Sequence, residues 1–508
     1  MPPRISRLDR IIQASQPLTQ PIPLRPPMTG WNTRDDFDGM EPTDAVQMDN
    51  WYADAGGLNT RKGTQPWCAG MGGPVNTVAE YYTGTIRKLI AMAAGNIYDA
   101  SSSTPATLAG GFHDSAWSTQ NFSGKLFMAN RSPGDAVQAL TGSTVVNAGF
   151  TGPPTHPIGV FLFKTRLYFW CANSPVFWYA GLAAVTGALS AFDISQVAQH
   201  GGNILCLTNF SHDGGDGVTN MFAIVMTTGE IILYLGSDPG LTSDWQLAGK
   251  YKLAAPIDAR SVAAYGGDVY LTTLDDHVAL QEQLTALKVG QTPPRSKISG
   301  AVRDALVANP TGFGYQALYY GRGRRVEFNV PNVDGTYDQH IYNTSNQSWQ
   351  RFQGRNGISW CEYNANLMFG RADGSVWQAD IGTTDNGASI ACTAQQAWSA
   401  LSIPTSKRLA GARPIVSVVQ NQRYTFSVGY DYKPVVVQIS PPGLTAYPLW
   451  DVTRWDTSLW TADQVPVDLA VHAAAGTGTV ISFALSCSAL TALTWMRTDL
   501  VIEAAKQI

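Results

Sequence analysis

At 508 residues the chain is long enough to bury several cores, which allows two to four domains or one large ring-like β domain with appendages. Only 14% of residues are charged, whereas Gly 49, Pro 29, Trp 15 and Tyr 20 are plentiful, a balance typical of many strands joined by tight turns. A formal charge of −4 and a pI near 6.0 argue against a dedicated nucleic-acid binder, which needs Lys and Arg massed against phosphates.

Residues 1–30 combine Arg4, Arg7 and Arg10 with Pro17, Pro21, Pro23, Pro26 and Pro27, a composition that favours extended, polyproline-like chain. This is read as an arm, either a disordered terminus or a segment that docks onto a neighbouring subunit or another protein. No apolar core follows the early positive charges, so no secretory signal is expected. Residues 31–66 are polar, rich in turn formers and without a catalytic constellation, and so read as an assembly element. From 67 to 386 the chain repeats a polar turn followed by an alternating apolar strand with an aromatic, as in Gly95-Asn96-Ile97-Tyr98-Asp99 and Thr165-Arg166-Leu167-Tyr168-Phe169-Trp170. The clearest unit, residues 339–380, holds four to five strands and is read as one propeller blade. The irregular spacing of such units predicts about six blades.

Within that region, residues 275–309 break the pattern. Val278, Leu280, Leu284 and Leu287, then Ile298, Val302 and Leu306 beyond Thr292-Pro293-Pro294, recur at near-helical spacing and predict two short helices. These either pack under a blade or line a channel. Residues 387–508 contain longer strands and predict a β-sandwich-like platform. The expected fold class is therefore all-β: an irregular β-propeller with a small helical insertion and a β-sandwich-like platform domain.

Six cysteines are scattered without a C-x-x-C pair and read as isolated buried thiols. The most apolar region, residues 158–192, is interrupted by Lys164, Arg166, Asn173 and Pro175, so no membrane span is expected. H-E-x-x-H, G-x-S-x-G and P-loop patterns do not occur, and Ser211-His212-Asp213-Gly214-Gly215-Asp216-Gly217 lacks the EF-hand spacing of a calcium loop. Pairs such as Asp35-Asp36 and Asp275-Asp276 do not by adjacency make a glycosidase site. The reading is a protein that is not an enzyme, with no catalytic residues, no metal and no cofactor.

Asp38-Gly39-Met40, then Asp49-Asn50-Trp51, then Gly56-Gly57-Leu58 followed by Arg61-Lys62-Gly63, form an ordered series near one end. Asp431-Tyr432, then Trp450-Asp451-Val452-Thr453-Arg454-Trp455-Asp456 and Trp460, follow near the other. This order resembles the tail nozzle proteins of short-tailed bacteriophages, also called hub or tail tubular B proteins; between the two ends the likeness is one of texture. The resemblance implies a structural protein of the virion tail, assembled in the host cytoplasm. It implies a homohexameric ring below the portal and head-tail adaptor proteins, bearing tail fibres or spikes. Such a ring retains viral double-stranded DNA and then conducts it, with transient non-specific contact. It further implies a platform built from both ends of the polypeptide, with residues 31–66 as its N-terminal part packed with residues 387–508.

On this resemblance Trp31, Trp51, Arg61, Lys62, Trp450, Trp455 and Trp460 are candidates for the subunit or adaptor interface. For the last three, whose five-residue spacing keeps no constant face, internal packing is the alternative. Arg322, Arg324 and Arg325 interleave with Gly321 and Gly323 as a basic hairpin tip, either a solvated turn or a contact with DNA or an acidic tail partner. Two readings of other classes stay open. A propeller enzyme or carbohydrate-binding module would act on a surface polysaccharide, and a host-cell propeller scaffold would account for the strands but not the terminal motifs.

Overall fold

Period-two alternation and Gly- or Asn-bearing turns dictate hairpins, and hairpins are what residues 75–379 form. The structure, a computed structural model, describes residues 21–213, 218–288, 290–310, 313–418, 422–433, 437–439, 467–468 and 476–504. The chain divides into two compact units, one of residues 31–35 and 61–390, the other of residues 1–30, 36–60 and 391–508. The stretch 31–66, expected wholly in the platform, is thus shared between them.

The first unit is a propeller of seven antiparallel blades, one more than the roughly six expected; six are small sheets of their own and blade 6 is the first four strands of a larger sheet. Blade 1 begins with Val75–Tyr82, blade 2 with Trp117–Phe122, blade 3 with Gly159–Phe163 and blade 4 with Ile204–Asp213. Blade 5 begins with Val262–Tyr265, blade 6 with Gln316–Tyr320 and blade 7 with Ser359–Tyr363. These first strands neighbour one another in sequence order around a ring, and that of blade 7 lies beside that of blade 1. Several first-to-second-strand hairpins close on two consecutive left-handed residues, among them Ser123-Gly124, Lys164-Thr165 and Asn364-Ala365, the conformation whose twist matches antiparallel strands. Blade 7 takes its fourth strand from far upstream: Thr64–Cys68 pairs with Val376–Ala379 and fastens the start of the ring to its end.

One correction to the sequence reading follows. Residues 339–380 are not one blade: Tyr337–Asn343 and Trp349–Phe352 are the outer strands of blade 6, and Ser359–Tyr363 opens blade 7. Blade 5 has three strands, because the helix Leu280–Lys288 follows its third strand, His277–Ala279, where another strand would come. Leu280 and Leu284 of this helix join a core with Val269 and Leu271 of blade 5 and Ile231 and Leu233 of blade 4. The second helix, Ser299–Ala308, buries Val302 and Leu306.

Hydrophobic cores sit between blades, since each sheet buries both faces against its neighbours. Tyr81 and Ile90 meet Trp117 and Leu126 between blades 1 and 2. Phe163 and Tyr168 meet Phe222 and Trp245 between blades 3 and 4, and Cys361 and Met368 meet Val78 and Leu89 where blade 7 meets blade 1. The seam between blades 5 and 6 is filled differently, by His277 stacked on Phe328 at 4.1 Å and edge-on to His340 at 5.2 Å.

The second unit interleaves strands from both ends of the chain. Ile22–Leu24 and Gly57–Thr60 both pair with Leu493–Ala504, which also pairs with Lys407–Val418. Asp44–Asp49 pairs with Ile390–Gln396, in a sheet continued by Ile481–Ala489 and Thr425–Tyr430. Trp51 and Trp495 are its largest fully buried side chains among the described residues. All six cysteines are free thiols, five of them buried.

Candidate functional site

The seven inner strands run the same way along the propeller axis, because every blade starts at its inner edge. Side chain to backbone bonds tie their starts at one level. Thr77 donates to the Ser115 carbonyl at 3.0 Å, Ser359 to the Val75 carbonyl at 2.7 Å, and the Gln316 amide oxygen accepts from the Trp360 N–H at 2.9 Å. At the other end the Asn121 amide donates to the Glu80 carbonyl at 2.7 Å, and the Glu80 carboxylate accepts from the Asn364 N–H at 2.9 Å.

These strands enclose an axial cavity of about 760 Å³. Its wall is mixed, with half-buried Ile158, Phe161, Leu205 and Leu318 among its apolar residues and Thr77, Asn121, Asn209 and Gln316 among its polar ones. The charged residues divide by end. Glu80 and Glu362 lie where the inner strands finish, and Arg131, Asp258 and Arg260 lie where they start.

Asp258 caps the short 3₁₀ turn Ala259–Ser261, accepting from the Arg260 N–H at 2.8 Å, and so fixes both residues at the cavity wall. Arg131 Nη2 reaches both carboxylate oxygens of Asp258, at 2.6 and 2.5 Å. Arg260 Nη1 donates to the Asn76 carbonyl at 2.8 Å, and its Nη2 donates to Gln316 Oε1 at 3.0 Å. Burial, then the charge of Arg131, holds the Arg260 guanidinium down at about 10. Phe313 serves both arginines, its ring centre 5.5 Å from Arg131 Cζ and 5.8 Å from Arg260 Cζ.

The residues singled out in the sequence lie elsewhere. Trp31 is buried, edge-on to His340 at 5.5 Å, with Arg351 Cζ 4.9 Å from its ring. Trp51 is buried in the platform unit. Arg61 is buried and bidentate to Asp385 at 2.6 and 3.0 Å, and also donates to the Gln353 carbonyl at 2.9 Å. Lys62 is exposed. Trp450, Trp455 and Trp460 lie outside the described residues, as do Gly214 to Gly217 of the loop weighed for calcium. Arg322 and Arg324 are exposed at their turn, whereas Arg325 is buried between Glu327 and Asp380. Of the three basic-tip residues, Arg325 is therefore corrected to a structural ion pair that leaves nothing to offer DNA.

Sequence reasoning missed Arg131, Asp258 and Arg260. Arg131 and Asp258 are 127 positions apart and belong to no motif; the one local signal was Asp258-Ala259-Arg260 directly ahead of an alternating strand.

Fold and cavity together define a closed seven-bladed β-propeller with a ligand-sized axial space, carried by a chain whose two ends build a second β unit. No protein-family model and no curated protein sequence matches the chain. Among solved structures, YCF48 from Cyanidioschyzon merolae is similar at 11% identity and a TM-score of 0.39, over 62% of this chain and 98% of that one. Saccharomyces cerevisiae Sqt1 is similar at 12% identity and a TM-score of 0.39, over 66% and 97% of the two chains. BBS1N in complex with ARL6DN gives 10% identity and a TM-score of 0.41, over 64% and 99%. At these values the likeness carries no inference about this protein, and the propeller assignment stands on the strand pairing described above.

Proposed function

We propose that this chain is a structural, non-enzymatic subunit of a short-tailed phage tail, the nozzle below the portal and adaptor. In this reading copies close into a ring, a homohexamer by the resemblance, that retains and then conducts viral double-stranded DNA. The observation that supports it best is the make-up of the platform unit, in which residues 36–60 fold with residues 391–508 and leave the propeller as an insertion between them. That arrangement is the one implied by the terminal motifs. The propeller's own cavity of about 760 Å³ has the volume of a small-molecule site, so the conduit belongs on the ring axis between copies. Each copy would present two unlike faces to its neighbours, as ring closure requires. A weakly acidic chain adheres little to phosphate, which suits sliding DNA.

The test is native mass measurement and electron microscopy of the purified protein, alone and mixed with portal and adaptor. A ring with an axial hole in either sample is expected; a monomer in both would end the nozzle reading. A second reading, a carbohydrate-binding module for a surface polysaccharide, is favoured by one observation. Half-buried Tyr265 and Tyr319 stack at 3.6 Å, and the aromatic run continues through Tyr270 to Tyr342. Asp268 stands beside it, with burial raising its carboxyl above the usual range. Such faces stack on sugar rings while a carboxylate accepts hydrogen bonds from sugar hydroxyls, and polysaccharide binding by a monomer would select this reading.

A further inference from the structure

We propose that the axial cavity of the propeller binds a small molecule carrying a carboxylate or phosphate on an apolar body, with Arg131 as its anion contact. The proposal goes beyond the assembly role and holds whether or not the chain forms a ring.

Charge balance is the first ground. Of the residues on the cavity wall where the inner strands start, two are guanidiniums, Arg131 and Arg260, and one is a carboxylate, Asp258; Asp114, off the wall, adds its charge to that of Asp258 on Arg260. The other bonds of Arg260 go to uncharged oxygens of Asn76 and Gln316, which satisfy its protons but not its charge. On the wall itself the cationic groups thus outnumber the anionic one, in a partly dehydrated space where a guanidinium attracts an anion more strongly than it would in bulk water.

Donor geometry is the second. Arg131 spends only Nη2 on Asp258, so among the described residues its Nε–H and Nη1 hydrogens have no bonded acceptor. Its side chain is 34% exposed and lies on the cavity wall. A guanidinium edge of this kind matches two oxygens of a carboxylate or phosphate. The Phe313 ring beside both arginines limits their tilt without adding negative charge.

Shape is the third. About 760 Å³ falls within the range of small-molecule pockets, and half-buried Ile158, Phe161, Leu205 and Leu318 give the wall apolar residues. Glu80 and Glu362 at the opposite end repel an anion, so the charged group is directed to Arg131 and the apolar body toward the middle.

The experiment is calorimetric titration of the full chain with benzoate, phenyl phosphate and the neutral isostere benzamide, with Arg131→Gln, Arg131→Lys and Arg322→Gln as variants. At least one anion is expected to bind tenfold or more tighter than benzamide, and which anion wins identifies the charged group. Arg131→Gln should weaken that anion at least tenfold, as loss of charge-assisted hydrogen bonds does, while Arg322→Gln, at the exposed turn, leaves it unchanged. Should Arg131→Gln not fold, Arg131→Lys keeps a cation for Asp258 but loses the fork, and a several-fold weakening is expected from it. The proposal is overturned if no anion binds, if benzamide binds as tightly, or if the folded Arg131 variants bind as the parent does.

Discussion

His277 Nε2 lies 3.0 Å from His340 Nδ1 across the seam between blades 5 and 6, and Thr272 Oγ1 holds His277 Nδ1 at 3.0 Å on the other side. Burial, then the charge of His340, pushes the His277 imidazole well below its usual range; burial, then the charge of Arg351, brings His340 down to about 3. Both rings are therefore neutral in the folded protein, one donating to the other.

The sign of the resulting pH dependence is fixed by these depressed values. An unfolded histidine binds its proton near pH 6.5 while the folded one refuses it, so stability is full above that pH and declines as the pH falls toward the folded value. Urea unfolding should show a loss of about 2 kcal/mol attributable to His340 between pH 7.5 and 5. His340→Gln should remove that share of the slope. An unchanged slope in the variant would refute the assignment.

Glu327 bridges two buried arginines, Arg325 at 2.6 Å and Arg355 at 2.7 Å, and Arg325 in turn holds Asp380 at 2.8 Å. Burial acting alone would raise the Asp380 carboxyl, but the Arg325 charge takes it below the usual range. Glu327→Gln leaves two guanidiniums to one carboxylate in the interior, and a loss of about 3 to 5 kcal/mol is expected from denaturant midpoints. The exposed pair Arg408 and Glu503 gives the contrast, with side chains 61% and 52% exposed. Glu503→Gln should change stability by less than about 1 kcal/mol.

Ring closure hangs on a close backbone approach at Gly63, whose N–H donates to the Gly382 carbonyl and whose own carbonyl accepts from Ile381, both at 3.1 Å. A Cβ there would stand 1.9 Å from the Thr384 carbonyl oxygen. Gly63→Ala is expected to cost at least about 2 kcal/mol by overpacking against main chain. Amide exchange should reveal where: protection should fall in Thr64–Cys68 and Val376–Ala379 before it falls in blades 2 and 3. Uniform loss, or none, would place the closure elsewhere.

The thiols divide sharply by environment. Burial raises Cys68 to about 11 and Cys206 to about 12, and it raises Cys171 and Cys361 as well. Since the thiolate is the reactive form, a disulfide-exchange reagent at pH 8 should modify at most the half-buried Cys487 in the native protein, and all six thiols after denaturation. Rapid reaction of three or more in the native state would contradict the packing of the inter-blade cores.

What the sequence determined by itself was local. Alternation in Arg166–Trp170 and Asp268–Thr272, and the apolar spacing from Leu280 to Leu306, specify strands and helices because those patterns act over one hairpin or one turn. Partition into blades belonged to the tertiary structure. Gly354-Arg355-Asn356-Gly357, between blades 6 and 7, has the same composition as a hairpin turn, so residues 339–380 read as one blade although the chain steps there to the next. Tertiary structure alone also brought Arg131 to Asp258 and residues 64–68 to residues 376–379, since the energy of those contacts depends on distances in space that no spacing along the chain encodes.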